Sequence, residues 1–120
     1  KAAEKPAKYQ DSLIELKDTK KQTFAIFSDN QVDVLVGLTR GPAWEIDYAE
    51  GDSGAIKRAK SFGNGGYAAI SGLPHITIPA YQIDGYPVGV SVIGRPWEDL
   101  LVLQVAAVLE TFFRGRFPKS

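Results

Sequence analysis

Over the first quarter of the chain, apolar side chains recur at three- and four-residue spacing. They are Tyr9, Leu13, Leu16, Phe24 and Phe27, with Thr23 on the same stripe. Residues spaced this way share one face of an α-helix, so the pattern predicts one long helix from about Glu4 to Asn30. Pro6 is tolerated because it lies in the first turn, where its missing N–H has no partner to lose. Asp29-Asn30 supplies a stop, asparagine accepting the left-handed backbone of a helix end. The polar stretch from Lys17 to Gln22 is the one place where this pattern admits a break.

The period then shortens. Val32-Asp33-Val34-Leu35-Val36-Gly37 is β-branched and mostly apolar, the signature of a strand covered on both faces. Leu38 to Ala55 follows as an irregular loop of Gly, Pro, Trp and acidic residues, longer than a plain connection needs and therefore a candidate for function. Residues 55–71 read as helical in part, weakened by Gly63, Gly65 and Gly66 and closed by Gly72-Leu73-Pro74. His75 to Pro79 and Val88 to Ile93 alternate as strands do, and Asp84-Gly85 between them is a tight-turn signal, which predicts an antiparallel hairpin. Pro79 and Pro87 lack an N–H for the ladder and belong at strand ends, bulges or an unpaired side. Gly94-Arg95-Pro96-Trp97 turns into a last helix, about Glu98 to Phe113. Glu98 and Asp99 suit its positive N-terminus. Its apolar line is Leu101, Val105, Val108 and Phe112, widened by Leu100, Leu103 and Ala107.

The order is helix-strand-loop-helix-β-hairpin-helix, an α/β class with a mixed sheet flanked by helices. Residues 1–30 form the first helix, 31–60 the strand and pocket loop, 61–97 the helix and β-hairpin core, and 98–113 the closing helix. Three strands are a poor sheet to bury two broad apolar helices. The sheet is therefore expected to continue in sequence outside this chain.

Composition narrows the chemistry. At 120 residues the chain is one domain's worth at most. Lysine plus arginine and aspartate plus glutamate balance at 14 each, so the basic surplus of a nucleic-acid binder is missing. The local clusters Lys17, Lys20, Lys21 and Lys57, Arg58, Lys60 read as solvated faces. The absence of cysteine removes disulfides, thiolate catalysis and cysteine zinc sites. His75 is the only histidine. No apolar run approaches the roughly 20 residues of a membrane span, and the start lacks the apolar stretch of a signal peptide; neither observation fixes a compartment. The chain has no methionine and opens on lysine, which leads to the expectation that it is a piece of a longer polypeptide.

Candidate reactive groups are few. Ser53 sits in Gly51-Asp52-Ser53-Gly54, but a nucleophile elbow needs Gly-x-Ser-x-Gly between strand and helix, and a loop or N-cap serine fits better. His75, at a strand start behind a helix-ending proline, reads as a packed or hydrogen-bonded residue rather than a general base. Ser71 and Ser91 have no lysine at useful spacing. Gly63-Asn64-Gly65-Gly66 lacks the Lys-Ser/Thr and the preceding strand of a phosphate cradle; close packing or a kink accounts for it. The loop is richer. Thr39 and Arg40 leave a strand end, the usual place for ligand contacts in open α/β sheets. Trp44 either packs back on the domain or walls a pocket. Asp47 either orients a substrate amine or amide, or caps a turn. Thr39, Arg40, Trp44 and Asp47 are thus the substrate-pocket candidates.

Ile70-Ser71-Gly72-Leu73-Pro74-His75-Ile76-Thr77-Ile78-Pro79-Ala80, followed by Asp84-Gly85-Tyr86-Pro87-Val88-Gly89-Val90-Ser91-Val92-Ile93-Gly94-Arg95-Pro96-Trp97, resembles the C-terminal core of amidase-signature enzymes. In that family a helix ends at Gly-Leu-Pro, a strand ends in Val/Ile-Pro-Ala, and a Gly-x-Pro-Val-Gly strand leads to Gly-Arg-Pro-aromatic. Asp33-Val34-Leu35-Val36-Gly37 matches the strand before this block, and Val105 to Glu110 the helix after it. Gly41-Pro42-Ala43-Trp44-Glu45-Ile46-Asp47 and Gly51-Asp52 look most like the peptide-amidase-type branch. Tyr81, where many members have glycine, and Leu38-Thr39-Arg40, where many read Pro-Thr, depart from the pattern.

The resemblance implies hydrolysis of a carboxamide by a Ser-(cis-Ser)-Lys triad, in which a neutral lysine activates the nucleophile through a bridging serine and backbone N–H groups hold the oxyanion. In the family, the Gly/Ser-rich segment and the lysine lie upstream. Nothing here matches them, so no catalytic residue is expected in this chain, which alone is expected to be inactive. The resemblance implies no metal or organic cofactor. Implied partners are a small or peptide-like amide, the N-terminal part of the same amidase and, as a possibility, a second copy; no nucleic acid and no membrane. Two alternatives stay open: a non-catalytic interaction module derived from this fold, and an amidotransferase A-type subunit.

Overall fold

The computed structural model describes residues 5–58 and 63–114. Helix α1 (Lys5–Asp29) runs unbroken. Its polar middle holds because the side chains bond along the helix: Gln22 Nε2 donates to Asp18 Oδ2 at 2.7 Å, and Thr23 Oγ1 to the Thr19 carbonyl at 2.8 Å. The helix stops at Asp29, within the predicted Asp29-Asn30 end, but the left-handed residue comes one position later than the sequence suggested. Asn30 is held by its own amide, which donates to the Ile26 carbonyl at 2.8 Å, and the left-handed residue is Gln31, at φ 52°. Val32 N–H then reaches back to the Phe27 carbonyl at 3.0 Å. This hydrogen bond closes a Schellman motif, and Val32 packs against the apolar cluster that contains Phe27.

Strand β1 (Val34–Leu38) follows, and the loop after it ends in helix α2 (Gly51–Arg58). The helix predicted over residues 55–71 is two short helices, α2 and α3 (Gly65–Ser71). Its expected span across residues 59–62 lies outside the described residues. Gly72, at φ 69°, closes α3, and Leu73 N–H bonds the Ala68 carbonyl at 3.0 Å, the same closure that ends α1.

Strands β2 (His75–Ile83) and β3 (Tyr86–Gly94) form the predicted hairpin. Asp84 and Gly85 both have positive φ, 51° and 81°, as a two-residue primed turn between twisted strands requires. The prolines take places where no N–H is needed: Pro79 sits at a register shift on the edge strand, and Pro87 at the start of β3, beyond the reach of β1. β1 pairs antiparallel with the far side of β3, giving the order β1-β3-β2. The described strands are thus antiparallel throughout, where a mixed sheet was expected. Arg95 straps the centre to the edge: its Nη2 donates to the Val32 carbonyl at 2.8 Å and lies 3.3 Å from the Asp33 carboxylate.

Each sheet face carries its own core. Helix α4 (Asp99–Arg114) covers β2 and β3, and Ile78, Ala80, Val90 and Val92 meet Val102 and Ala106 there. On the other face Phe27, Ala68, Leu73 and Ile93 close together under α1 and α3. The face that α4 turns to the sheet is not the predicted line. It is centred on Val102, Ala106 and Leu109, roughly a quarter turn away, and leaves Val108 and Phe112 70% and 55% exposed. The helix is apolar almost all round, so periodicity could not select a side. Small residues did, since valine and alanine let the helix come close to the sheet.

Cover is incomplete. Tyr9 and Ile14 on α1 are 62% and 66% exposed, and Val36 on β1 is 54% exposed although both faces of that strand were expected to be covered. The whole is a slab of 58 × 46 × 20 Å with a radius of gyration of 18.0 Å, against about 14 Å for a compact domain of this length.

Candidate functional site

The two sheet faces differ in chemistry. Opposite α4, beyond the small Phe27–Ile93 core, the antiparallel register stacks His75, Thr77 and Ser91 near one another and leaves Gly37 and Gly89 in the same rows. The glycines clear space. A Cβ at Gly37 would lie 2.5 Å from Asn64 Nδ2, and one at Gly89 would lie 2.6 Å from Thr77 Cγ2 and 3.3 Å from Thr39 Oγ1. Asn64 uses its space to donate to the Leu38 carbonyl at 2.8 Å, while its own N–H bonds the Thr39 carbonyl at 3.1 Å. The Gly63-Asn64-Gly65 run therefore clamps the end of β1. Gly65 approaches within 3.5 Å of the imidazole of His75, measured from where its Cβ would be, which is the close packing expected of these glycines.

Thr39 extends β1 by one bond, its N–H donating to the Gly89 carbonyl at 2.9 Å. Its hydroxyl joins a row of polar groups. His75 Nε2 lies 2.7 Å from Ser91 Oγ, Ser91 Oγ donates to Thr39 Oγ1 at 2.8 Å, and Thr39 Oγ1 donates to Thr77 Oγ1 at 3.3 Å. Ser91 is fully buried, His75 and Thr39 half-buried, and Thr77 exposed. The sequence treated His75 as a hydrogen-bonded residue, and so it is. It gave Ser91 no partner, although His75, Thr77 and Ser91 fall on one face of the predicted hairpin by simple alternation.

A serine 2.7 Å from an imidazole invites a nucleophilic reading, and the surroundings argue against it. Ser91 is 0% exposed, so no substrate carbon can reach it, and its hydroxyl is also engaged with Thr39 Oγ1 at 2.8 Å. Among the described residues no carboxylate bonds the other ring nitrogen to orient it, as a Ser-His pair needs. Ser53 lies inside α2 rather than on an elbow. Ser71 Oγ is buried without a partner beside the Leu73 core.

The four loop candidates divide. Arg40 stacks its guanidinium over Trp44, 4.5 Å from the ring centroid, a cation–π contact that fixes the tryptophan half-buried at the mouth of the loop. Trp44, Ile46, Tyr48 and Ala55 line an open hollow of about 550 Å³, with Glu45 and Asp47 on its rim. Trp44 thus walls a depression rather than filling the core. Asp47 acts locally: its Oδ1 accepts the N–H groups of Ala49 and Glu50 at 2.9 and 2.8 Å, and its carbonyl that of Gly51 at 2.9 Å. It shapes the turn into α2, where Gly51 supplies a positive φ of 66°. Thr39 belongs to the hydroxyl row. Thr39 and Arg40 are neighbours in sequence, so the row and the hollow share one strand end.

No family model matches the chain. Among curated proteins, it is 48% identical over 44 residues to a fatty acid amide hydrolase of Medicago truncatula, a match that covers 36% of this chain and 7% of that protein. It is 35% identical over 78 residues to the A-type component of the glutamyl-tRNA(Gln) amidotransferase of Pseudomonas entomophila (strain L48), covering 64% of this chain and 16% of that one. Among solved structures, the native peptide amidase of Stenotrophomonas maltophilia superposes on 85% of the chain with a TM-score of 0.66 at 27% identity. A peptide amidase in complex with the competitive inhibitor chymostatin gives 0.70 at 28%. In both cases the chain spans 20% of the solved protein. Motif, relatives and fold converge: the chain is similar to amidase-signature enzymes, and its fold is like that of peptide amidases.

Proposed function

We propose that this chain is the C-terminal portion of a carboxamide C–N hydrolase whose Ser-Ser-Lys triad lies in preceding sequence, and that it contributes scaffold strands, the closing helix and one wall of the substrate pocket. One observation carries the reading: apolar surface is left bare on α1, β1 and α4 at once. Ile14, Val36, Leu100 and Val108 are 66%, 54%, 70% and 70% exposed, on elements otherwise built to be buried, and solitary domains rarely expose so much. A further layer of helices and strands from the same polypeptide would cover them. That the chain matches a fifth of the length of solved peptide amidases is in keeping with it.

In this reading the Arg40–Trp44 stack and the hollow behind it face the acyl or amine portion of a small or peptide-like amide. Thr39, at the strand end, sits nearest the reacting part. The hydroxyls here are neutral and the nucleophile is supplied from elsewhere, so this chain binds and orients rather than breaks bonds.

The experiment compares the isolated 120-residue chain with the longer polypeptide that contains it, measuring ammonia release from peptide and simple carboxamides. The longer protein is expected to hydrolyse them and the isolated chain to be inactive. Turnover by the isolated chain would refute the division of labour. A second reading is favoured by the amidotransferase relatives: a component of an amidotransferase. Ammonia release that needs an added partner protein would select it.

A further inference from the structure

The loop after β1 gathers aromatic, apolar and acidic side chains around one open space. The hollow of about 550 Å³ is lined by Trp44, Ile46 and Tyr48, with Ala55, 4% exposed, as its buried floor. Its volume lies within the range of small-ligand sites. Ile46 and Tyr48 are 70% and 93% exposed, so the loop holds in water apolar surface that the described fold does not bury. The two acids at the rim differ. Asp47 Oδ1 accepts the N–H groups of Ala49 and Glu50 and shapes the turn. Glu45 is exposed and makes no hydrogen bond or ion pair among the described residues. No basic side chain lines the hollow among those residues; Arg40 stands over Trp44 from outside it.

We propose that this hollow is a specificity site for a basic side chain, that of lysine or arginine, on the acyl side of the amide to be cleaved. The stem of that side chain lies along Trp44 and Ile46, and its charged end meets the Tyr48 ring and the Glu45 carboxylate. The inference rests on the carboxamide-hydrolase reading and names a substrate class for it. Lysine and arginine join an apolar stem to a cationic head, and such a head is attracted both by an aromatic face and by a carboxylate. A neutral side chain would gain the apolar contact alone, and an acidic one would meet like charges at the rim. The loop already uses this chemistry once, since the Arg40 guanidinium sits 4.5 Å from the centroid of Trp44. Its charge there repels a second cation from that ring and directs the incoming head toward Tyr48 and Glu45.

The test uses the longer polypeptide and acetylated tripeptide amides that carry lysine, norleucine or glutamate at each position in turn. Norleucine keeps the stem and lacks the charge. At one position lysine is expected to exceed norleucine about fivefold in kcat/KM, through KM, with glutamate below both. Glu45→Gln and Tyr48→Leu change exposed side chains, where the fold loses little. Each should bring the lysine-to-norleucine ratio to within about twofold, and added salt should lower that ratio in the wild type. Equal kcat/KM for lysine and norleucine at every position overturns the proposal, and is the result if preceding sequence fills the hollow. A lysine preference that survives both substitutions overturns it as well, because the charge is then read elsewhere. If no amide is hydrolysed, the hydrolase reading falls and the hollow is tested by ligand-observed NMR with the same peptides. Saturation transfer to the lysine side chain that weakens in Glu45→Gln upholds the cation site; no transfer, or transfer that the variant leaves unchanged, overturns it.

Discussion

Gly94 ends β3 beneath the first turn of α4, and the fit there predicts what one methyl group would do. A Cβ at Gly94 would overlap Val102 Cγ2, and the Glu98 carbonyl oxygen and Pro74 Cγ, each 3.6 Å away, close off its other sides. Val102 is 2% exposed and sits in the core between α4 and the sheet. Its methyl cannot swing into solvent, so Gly94→Ala must turn the valine or lift α4. Overpacking of this kind costs about 1–3 kcal/mol, and the lack of an escape route argues for the upper half of that range. Val102→Ala by itself deletes two buried methyls, a loss of roughly 2 kcal/mol from transfer and cavity together. The two changes should compensate, because the methyl added at position 94 occupies the space vacated at 102. The double variant is therefore expected to be about 2 kcal/mol more stable than the sum of the single losses. Urea unfolding followed by far-ultraviolet circular dichroism gives the four stabilities, the midpoints shifting at a common slope. Additive losses, or a Gly94→Ala variant within about 0.5 kcal/mol of wild type, would refute the packing argument.

Other contacts give sharper local expectations. Asp47→Ala removes the acceptor of two N–H groups and should destabilise the turn into α2 by about 1 kcal/mol, with Asp47→Asn nearer to wild type; equal losses would contradict the capping role. Arg40→Gln removes the cation over Trp44, worth about 0.5–1 kcal/mol at an exposed site, and should raise the collisional quenching of that tryptophan by acrylamide. Unchanged quenching would mean that the stack does not shield it. Asn64→Leu breaks the bond to the Leu38 carbonyl, so limited proteolysis between Arg40 and Glu50 should quicken several-fold, about what the loss of ~1 kcal/mol of clamping allows; a protection pattern like wild type would show that the backbone bonds suffice.

Much of this architecture was legible because backbone chemistry is local. Asp84-Gly85 and Gly72 need left-handed backbone, and few residues supply it, so the hairpin turn and the end of α3 could be read directly. Pro79 and Pro87 were placed by the N–H they lack. The face of α4 could not be read, since a helix apolar on nearly every side leaves the choice to its neighbours, and the close fit of Val102 over Gly94 is a property of two segments. Gln31 took the left-handed position expected of Asn30 because the asparagine amide was engaged with Ile26. Of the loop residues, Asp47 as a turn cap was within the alternatives the sequence allowed, and Trp44 lines an open hollow. The His75–Ser91–Thr39 row needed strand pairing to be seen, for it joins three segments that no spacing rule connects.

The strand order has a consequence for how the molecule comes together. β2 and β3 are joined by two residues and can zip within microseconds of becoming available. β1 must wait for the far edge of β3, from which about half the chain separates it: Val34 meets Gly94. β1 is thus made well before the strand it pairs with, and its side toward β3 stays open to misplaced pairing until the hairpin arrives. The strap from Arg95 to Val32 and Asp33 forms at the moment that wait ends, and its loss should be felt first as slower, more aggregation-prone refolding.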